Sequence, residues 1–347
     1  MKKLLIALCT LILILNTTSC GLVRQEKNHA SFLTLFNTVT EVIAYSNSKE
    51  EFEEFVQLIY DNLKTYHQLY DKYKDYEGIN NIKTINDNAG IAPVSVDRRI
   101  IDMLLFSKEM YRITDGTVNI ALGPVLEIWH IYRTAGIDDP LNAQLPSMEE
   151  LIRANSFTDI NQVIIDEENS TVFLTNENMS LDVGAIAKGY AAEQVTKIAF
   201  QKGYTNFLLS VGGNTRAVGT KGQEKAPWSV GIQNPDKSSE QTSLYTMALT
   251  DLSLVASGNY ERYYTVDGKT YHHIIDPNTL MPSDYFTAVS ILCEDSGMAD
   301  ALSTAIYNMP FEKGKAFIES FYNVEAMWIF PNGERKFSNH FKDFILE

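Results

Sequence analysis

Five short apolar, β-branched runs crowd into one stretch of the chain, at residues 207–211, 228–232, 243–249, 263–266 and 287–292. Helical periodicity lies on either side of them rather than between them. Residues 186–200 read as a helix that stops near Gly203, and residues 298–308 as one that Pro310 ends. Strands that follow one another without an intervening helix cannot be strung into repeated parallel crossovers, so a doubly wound sheet is disfavoured. The fold class is α+β, with mixed, mainly antiparallel sheets and packed helices.

The first half is consistent with this. From residue 50 to 70, Phe52, Phe55, Val56, Ile59, Leu63, Tyr66 and Tyr70 recur at three- and four-residue spacing, the mark of an amphipathic helix on a core. Residues 32–45 alternate apolar and β-branched side chains and read as strand. Residues 163–175, split by the polar stretch 166–170, read as a hairpin. No internal repeat, low-complexity tract or Pro/Gly/Ser linker marks a boundary. The expected division is a signal peptide at 1–19, a lipidated tether at 20–30, and one domain at 31–347, single or built from two closely packed subdomains.

The export reading comes from the N-terminus. Lys2 and Lys3 precede an apolar run at 4–15, then Asn16-Thr17-Thr18-Ser19 and Cys20. Twelve residues fall short of the roughly 18 a spanning helix needs. Cys20 directly after small Ser19 resembles a lipobox, with Thr17 in place of the usual Leu. Lipidation of Cys20 would anchor an exported protein to a bacterial membrane on its extracytoplasmic face. Cleavage removes two lysines and no acids, taking the net charge from −15 to −17. With 29 Lys+Arg against 44 Asp+Glu, wrapping of nucleic acid is excluded as a function class. Three cysteines, Cys9, Cys20 and Cys293, build neither a disulfide framework nor a multi-cysteine metal site.

Three clusters combine glycine with ionisable groups. In Leu181-Asp182-Val183-Gly184-Ala185-Ile186-Ala187-Lys188-Gly189-Tyr190, Asp182 ends a strand and Lys188 sits in the first turn of the next helix, a place suited to phosphate oxygens. A capping Asp182 with an exposed lysine accounts equally for that segment. In Ala299-Asp300-Ala301-Leu302-Ser303-Thr304, four-residue spacing puts the Asp300 carboxylate and the Thr304 hydroxyl on one helical face. So sparse a ligand set suits Mg²⁺, which keeps waters and takes further ligands from substrate phosphates; two surface side chains are the plain alternative. The third cluster spans Ser257–Tyr264 and Tyr271–Pro277, rich in tyrosine, with His272 and His273 on opposite faces of a strand. A histidine there can accept a proton from a hydroxyl, or simply be a satisfied core residue.

These blocks, LDVGAIAKGYAAEQV, FLLSVGGNTRAVG, ASGNYERYYTVDGKTYHHIIDP and MADALSTA, with TDGTVNIALGPVLEIW at 114–129, resemble in order and spacing the ApbE-type flavin transferases, which attach FMN to proteins using FAD. The resemblance runs from about Phe36 to Asn308. It implies FAD as substrate and Mg²⁺ at the diphosphate, held by the Ala185 carbonyl and the Asp300 and Thr304 side chains. It implies flavin contacts at Asp182, Lys188, Thr117, Val118, Asn119 and Ile274, with Phe36 and Tyr73 near the N-terminus. His273, in the His-Ile-x-Asp-Pro block, is the implied base. The implied partner is an extracytoplasmic flavoprotein whose threonine, in a short Asp- and Thr-containing motif, receives FMN while AMP departs. Asn119 and Asn214 stand where the family usually has Asp, and the stretch around Asn86 carries extra residues. Two other readings compete: a Mg²⁺-dependent FAD pyrophosphatase, in which water attacks, and a non-catalytic flavin- or solute-binding lipoprotein.

Overall fold

The computed structural model describes residues 25–222 and 224–346. The signal peptide and Cys20 lie outside the described residues. β1 (Glu26–Phe32) and β2 (Thr40–Ser46) pair antiparallel. Residues 26–30, expected in the tether, are therefore strand, and the single strand expected at 32–45 is broken by a turn at 33–39. α1 (Lys49–Tyr70) is capped by Ser48, whose hydroxyl accepts from the Glu51 amide, and Glu50 and Glu51 sit in its first turn. Its buried face is the periodic set Phe52, Phe55, Ile59, Leu63, Tyr66 and Tyr70.

Then come α2 (Ile82–Asp87), β3 (Val94–Ser95), α3 (Arg98–Ile113), α4 (Gly123–Asp138) and α5 (Met148–Asn155). The expected hairpin is β4 (Val163–Asp166) and β5 (Thr171–Leu174), with β3 added beside β5. α6 (Ala187–Gln201) leads into β6 (Phe207–Val211) and β7 (Asn214–Val218). β8 (Trp228–Gln233) and β9 (Ser243–Leu249) form a separate antiparallel pair. β10 (Ser253–Gly258), the small hairpin β11 (Tyr263–Val266) and β12 (Lys269–His272), and β13 (Ala288–Cys293) follow. α7 (Ser296–Tyr307), α8 (Phe311–Glu319), β14 (Glu325–Ile329) and β15 (Arg335–Phe337) complete the elements that matter here.

The main sheet has eight strands in the order β1-β2-β6-β7-β10-β13-β14-β15, every pair antiparallel. This bears out the α+β reading. One face carries α6 and α7 and merges with the core under α1 and α3, through Phe55, Ile59, Phe207 and Leu209. The other face is covered by β8, β9 and the C-terminal turn, through Trp228, Met247, Leu249 and Phe341. A satellite core joins α4 to the β11–β12 hairpin through Val125, Trp129, Tyr264 and Ile275. Trp129 donates its indole N–H to the Leu280 carbonyl at 2.9 Å. A Cβ on Gly136 would lie 2.5 Å from the Tyr264 ring, so only glycine lets helix and hairpin meet this closely. That contact brings residue 273 to the side of α4.

Candidate active site

The proposed metal-ligand positions converge where α6 meets α7. A Cβ on Gly189 would lie 2.3 Å from the Ser296 carbonyl oxygen and 2.5 Å from Asp300 Cβ, so the helices touch because this residue has no side chain. The close approach lets the Gly189 amide donate to Asp300 Oδ2 at 2.8 Å. In a regular helix that amide would bond the carbonyl four residues back, Ala185. Here no main-chain amide of the described residues donates to Ala185. Lys188 Nζ lies 3.6 Å from Asp300 Oδ2, and the Thr304 hydroxyl is one turn on, 3.5 Å from the Asp300 carbonyl. Burial raises the Asp300 carboxyl above its ordinary pKa even though Lys188, the Gly189 amide and the neighbouring Asn214 amide all favour its ionised form.

One carboxylate, one hydroxyl and one released peptide carbonyl make an oxygen-only set that fits a hard cation such as Mg²⁺. Among the described residues no three His, Cys, Asp or Glu side chains gather as metal ligands. A cation here would draw the rest of its charge balance from a bound phosphate. The geometry is braced from behind by Glu193 on α6. Its Oε2 accepts from Arg216 Nε on β7 at 3.2 Å and from the Ser296 amide that starts α7 at 3.1 Å. Lys197 spans Glu193 and Asp295, at 3.4 Å from each.

A second group surrounds Asp182. The sequence expectation that Asp182 ends a strand does not hold: it lies in irregular chain between β5 and α6, fixed by other means. Its amide donates to the Ile120 carbonyl at 2.8 Å. The preceding Leu181 is held by Asn86, which accepts from the Leu181 amide at 2.7 Å and donates to its carbonyl at 3.0 Å. Asp182 Oδ1 accepts from the Gly184 amide at 2.9 Å, and Oδ2 pairs with Lys72 Nζ at 2.9 Å. Burial opposes ionisation of Asp182, but Lys72 and the Gly184 amide outweigh it and hold the carboxyl below its ordinary pKa. Lys72 also reaches Glu127 at 3.2 Å. Glu127, His130 and Arg133 recur every three residues along one side of α4. Exposed Tyr73 lies beside His130 with the rings tilted at 43°, their centroids 5.8 Å apart.

Residues 117–119 adjoin Asp182 through the Ile120 bond. Thr117 and Val118 are buried, and Asn119 is committed at both ends of its amide, accepting from the Ala121 amide and donating to the Thr158 carbonyl. Phe36 occupies the β1–β2 turn in the left-handed region, φ 53°, and its amide donates to His67 Nδ1. His67 meets the Tyr76 hydroxyl, which donates to Asp71, whose other oxygen accepts from the Tyr73 amide. Phe36 is thus linked to the Tyr73 turn by a relay rather than by direct contact.

The two histidines divide as alternation requires. His272 is buried, with Nδ1 accepting from the Ile274 amide and Nε2 2.6 Å from the Ser283 carbonyl, which places its proton on Nε2. It is a structural residue. The Ile274 side chain likewise belongs to the core. His273 donates its main-chain amide to the Arg262 carbonyl at 3.1 Å, while its buried Nδ1 meets no hydrogen-bond partner. Burial, reinforced by Arg262, His272, Arg133 and Lys188, pushes this imidazole down to about 3. It is neutral at neutral pH and surrounded by cations.

The structure therefore gathers Asp182, Ala185, Lys188, Asp300, Thr304 and His273 around one region, with Tyr73 beside Asp182. Sequence reasoning did not single out Lys72, Glu127, His130, Arg133 or Arg262. Arg262 lay inside a quoted block, and the three-residue spacing on α4 was legible, though such a row ordinarily marks a solvated face.

The chain matches the ApbE family over residues 36–328. It is 31% identical over 328 residues to the FAD:protein FMN transferase of Treponema pallidum (strain Nichols), covering 90% of this chain and 88% of that one. It is 30% identical over 270 residues to an enzyme of the same name from Klebsiella pneumoniae (strain 342), covering 76% and 81%. Its fold superimposes on the crystal structure of the ApbE protein from Thermotoga maritima with a TM-score of 0.80 at 28% identity, covering 93% of this chain and 100% of the other. For the flavin transferase ApbE from Vibrio cholerae the TM-score is 0.75 at 21% identity, over 92% and 99% of the two chains. The chain belongs to the ApbE family, the family of the FAD:protein FMN transferases.

Proposed function

We propose that this protein binds FAD and transfers its FMN half to a threonine hydroxyl of an acceptor flavoprotein, releasing AMP. We place it on the extracytoplasmic face of a bacterial membrane, held by lipid on Cys20. The observation that carries the reaction is His273, a neutral imidazole with an unpartnered buried nitrogen, set among Lys188, Arg262 and Arg133. Burial is the largest cause of its low basicity, and Arg262, His272, Arg133 and Lys188 add to it; an incoming diphosphate would offset the share that the two arginines and the lysine contribute.

The threonine oxygen attacks the phosphorus of the FMN half, its proton passes to the His273 imidazole, and the bond to the AMP phosphate breaks. Lys188 sits where the charge left on the phosphate oxygens can be met. Asp300, Thr304 and the Ala185 carbonyl would hold Mg²⁺, which would supply Lewis-acid neutralisation of the diphosphate. Lys72 and Asp182, tied to α4 through Glu127, would form one wall for the dinucleotide, and Tyr73 offers an aromatic surface beside it.

The test is to mix the mature protein with FAD, Mg²⁺ and candidate acceptor domains and look by mass spectrometry for FMN on a threonine. AMP and protein-bound FMN in equal amounts support the reading. Free FMN and AMP at full rate without acceptor make the protein a pyrophosphatase. Chelator-insensitive FAD binding without turnover makes it a carrier.

A further inference from the structure

On the face of the main sheet away from α6 and α7 lies a cleft of about 360 Å³ that the flavin site does not use. Its floor takes every second residue of successive strands: Glu41 and Ile43 of β2, Leu208 and Ser210 of β6, Leu254 and Ala256 of β10. That alternation is a sheet seen face on. The wall is different. Ser229, Val230, Gly231, Ile232 and Gln233 of β8 line it consecutively. Successive side chains of an extended strand point to opposite faces, so five in a row can border one cavity only when the strand turns its edge toward it.

β8 pairs with β9 alone, and residues 229–233 make no other main-chain hydrogen bond among the described residues. The wall is thus an open sheet edge. Such edges are normally blunted with lysine, proline or a bulge. Residues 228–233 carry no charge and no proline, and their one irregularity is a register shift at the far end, between Ile232 and Gln233.

Charge restricts what can enter. No Lys, Arg or His lines the cleft, and Glu41 is its single carboxylate. Lys221, bonded to the Ser229 hydroxyl at 2.7 Å, does not line it. A dinucleotide finds no counter-charge here; an uncharged chain with small apolar or hydroxyl side chains finds Ser210, Thr215 and Ser290 on an apolar floor.

The catalytic region lies across the sheet from the cleft, and the two come together at one end of it, where the β6–β7 turn and the end of β10 sit. Gly213 lines it, and the next residue, Asn214, neighbours the Asp300 carboxylate. Tyr260 lines it, and two residues on the Arg262 carbonyl holds the His273 amide. Ser257, turned to the opposite face from Ala256, bonds Ser303 of α7, the residue before Thr304, at 2.8 Å, so the end of β10 carries the cleft on one face and the α7 groups on the other.

We infer that this cleft docks the acceptor flavoprotein: an uncharged extended segment of the acceptor adds to β8 as a new edge strand, and the chain beyond it turns past Gly213 and Tyr260 to bring the threonine to His273. The inference rests on the transferase reading above.

Ala256 is exposed on the cleft floor and is none of the residues assigned above to the flavin, the cation or the proton transfer, so Ala256→Phe fills the cleft and Ala256→Ser leaves it open. The probe is the acceptor domain that the wild-type protein labels in the transfer assay. Ala256→Phe is expected to raise KM for that acceptor at least tenfold with FAD affinity unchanged, and Ala256→Ser to match wild type. Hydrogen–deuterium exchange on the wild-type protein should show residues 229–233 protected when the acceptor is added, which decides the matter alone if Ala256→Phe does not fold. Labelling with unchanged KM and no protection of 229–233 overturns the docking site and leaves the transferase reading standing. Protection that appears without acceptor and grows with protein concentration assigns the edge to self-association and overturns it too. Failure to label any acceptor removes the transferase reading, and this inference with it.

Discussion

Asp182 and Asp300 are two carboxylates withdrawn from water on either side of α6's first turn, and the protein treats them in opposite ways. Asp182 has a permanent cation in Lys72 at 2.9 Å and is held below its ordinary pKa. Asp300 has Lys188 only at 3.6 Å and is pushed above it. Asp182 also keeps more exposure, 19% of its side chain against 6% for Asp300, so a committed partner and the lighter burial act together. Asp182 is a finished part of the fold, whereas Asp300 is left short of positive charge until something brings it. Unfinished electrostatics of this sort mark the groups that handle ligand.

The contrast can be broken most sharply by neutralising Asp300. Asp300→Asn keeps an oxygen for the Gly189 amide but removes the charge, and Mg²⁺-dependent transfer should fall about a hundredfold or more. Mn²⁺ binding followed by electron paramagnetic resonance should vanish with it; retained binding would move the cation elsewhere. Next in size, His273→Ala should slow acceptor labelling by about 10²-fold or more while FAD affinity, read from flavin fluorescence, stays within twofold. Full activity in that variant removes the imidazole from the reaction.

Stability provides a third comparison, and here the two acids should differ in sign. Asp182→Asn breaks a largely buried pair and should cost about 3 kcal/mol in urea unfolding at pH 7. Because the folded Asp182 pKa is depressed, its stabilisation is complete above the unfolded value near 3.8 and is lost as pH falls through the folded value. The gap between wild type and Asp182→Asn should close only in that acid range. A raised pKa works the other way: ionised Asp300 costs stability at neutral pH. Asp300→Asn should therefore melt higher than the ligand-free wild type, although it is inactive. A lower melting point would show that Asp300 is structural after all. Smallest of the four, Asn86→Ala removes two bonds to Leu181 and should cost about 1 kcal/mol, with a several-fold rise in KM for FAD as Asp182 loses its seat. Unchanged KM would reduce Asn86 to a fold residue.

Much of this was legible along the chain because periodicity and burial agree. α1 shows its three- and four-residue stripe, β6 its apolar run, and the Asp300 and Thr304 pair its single turn of helix. What escaped was set by distant neighbours. The polar stretch from Glu26 to Ala30 is a strand because β2 offers it an edge, which no local composition announces. Asp182 needs no strand because Asn86, 95 residues before Leu181, holds that segment. Lys72, Arg133 and Arg262 look like ordinary surface cations until the satellite core folds α4 and the β11–β12 hairpin together. The Ala185 carbonyl becomes distinctive only because Gly189 turns its amide to α7.

The brace through Glu193, Arg216 and Lys197 makes α6, α7 and β7 one stiff piece, whereas His273 is carried by a hairpin seated on α4 by Gly136 and Tyr264. The residues proposed to hold the cation and the proposed proton acceptor thus sit on separate parts. Drift in the packing beneath the hairpin can re-aim the imidazole without moving Lys188, Asp300 or Thr304. A lineage can in this way exchange one attacking hydroxyl for another, or protein for water, through substitutions that never touch the nucleotide.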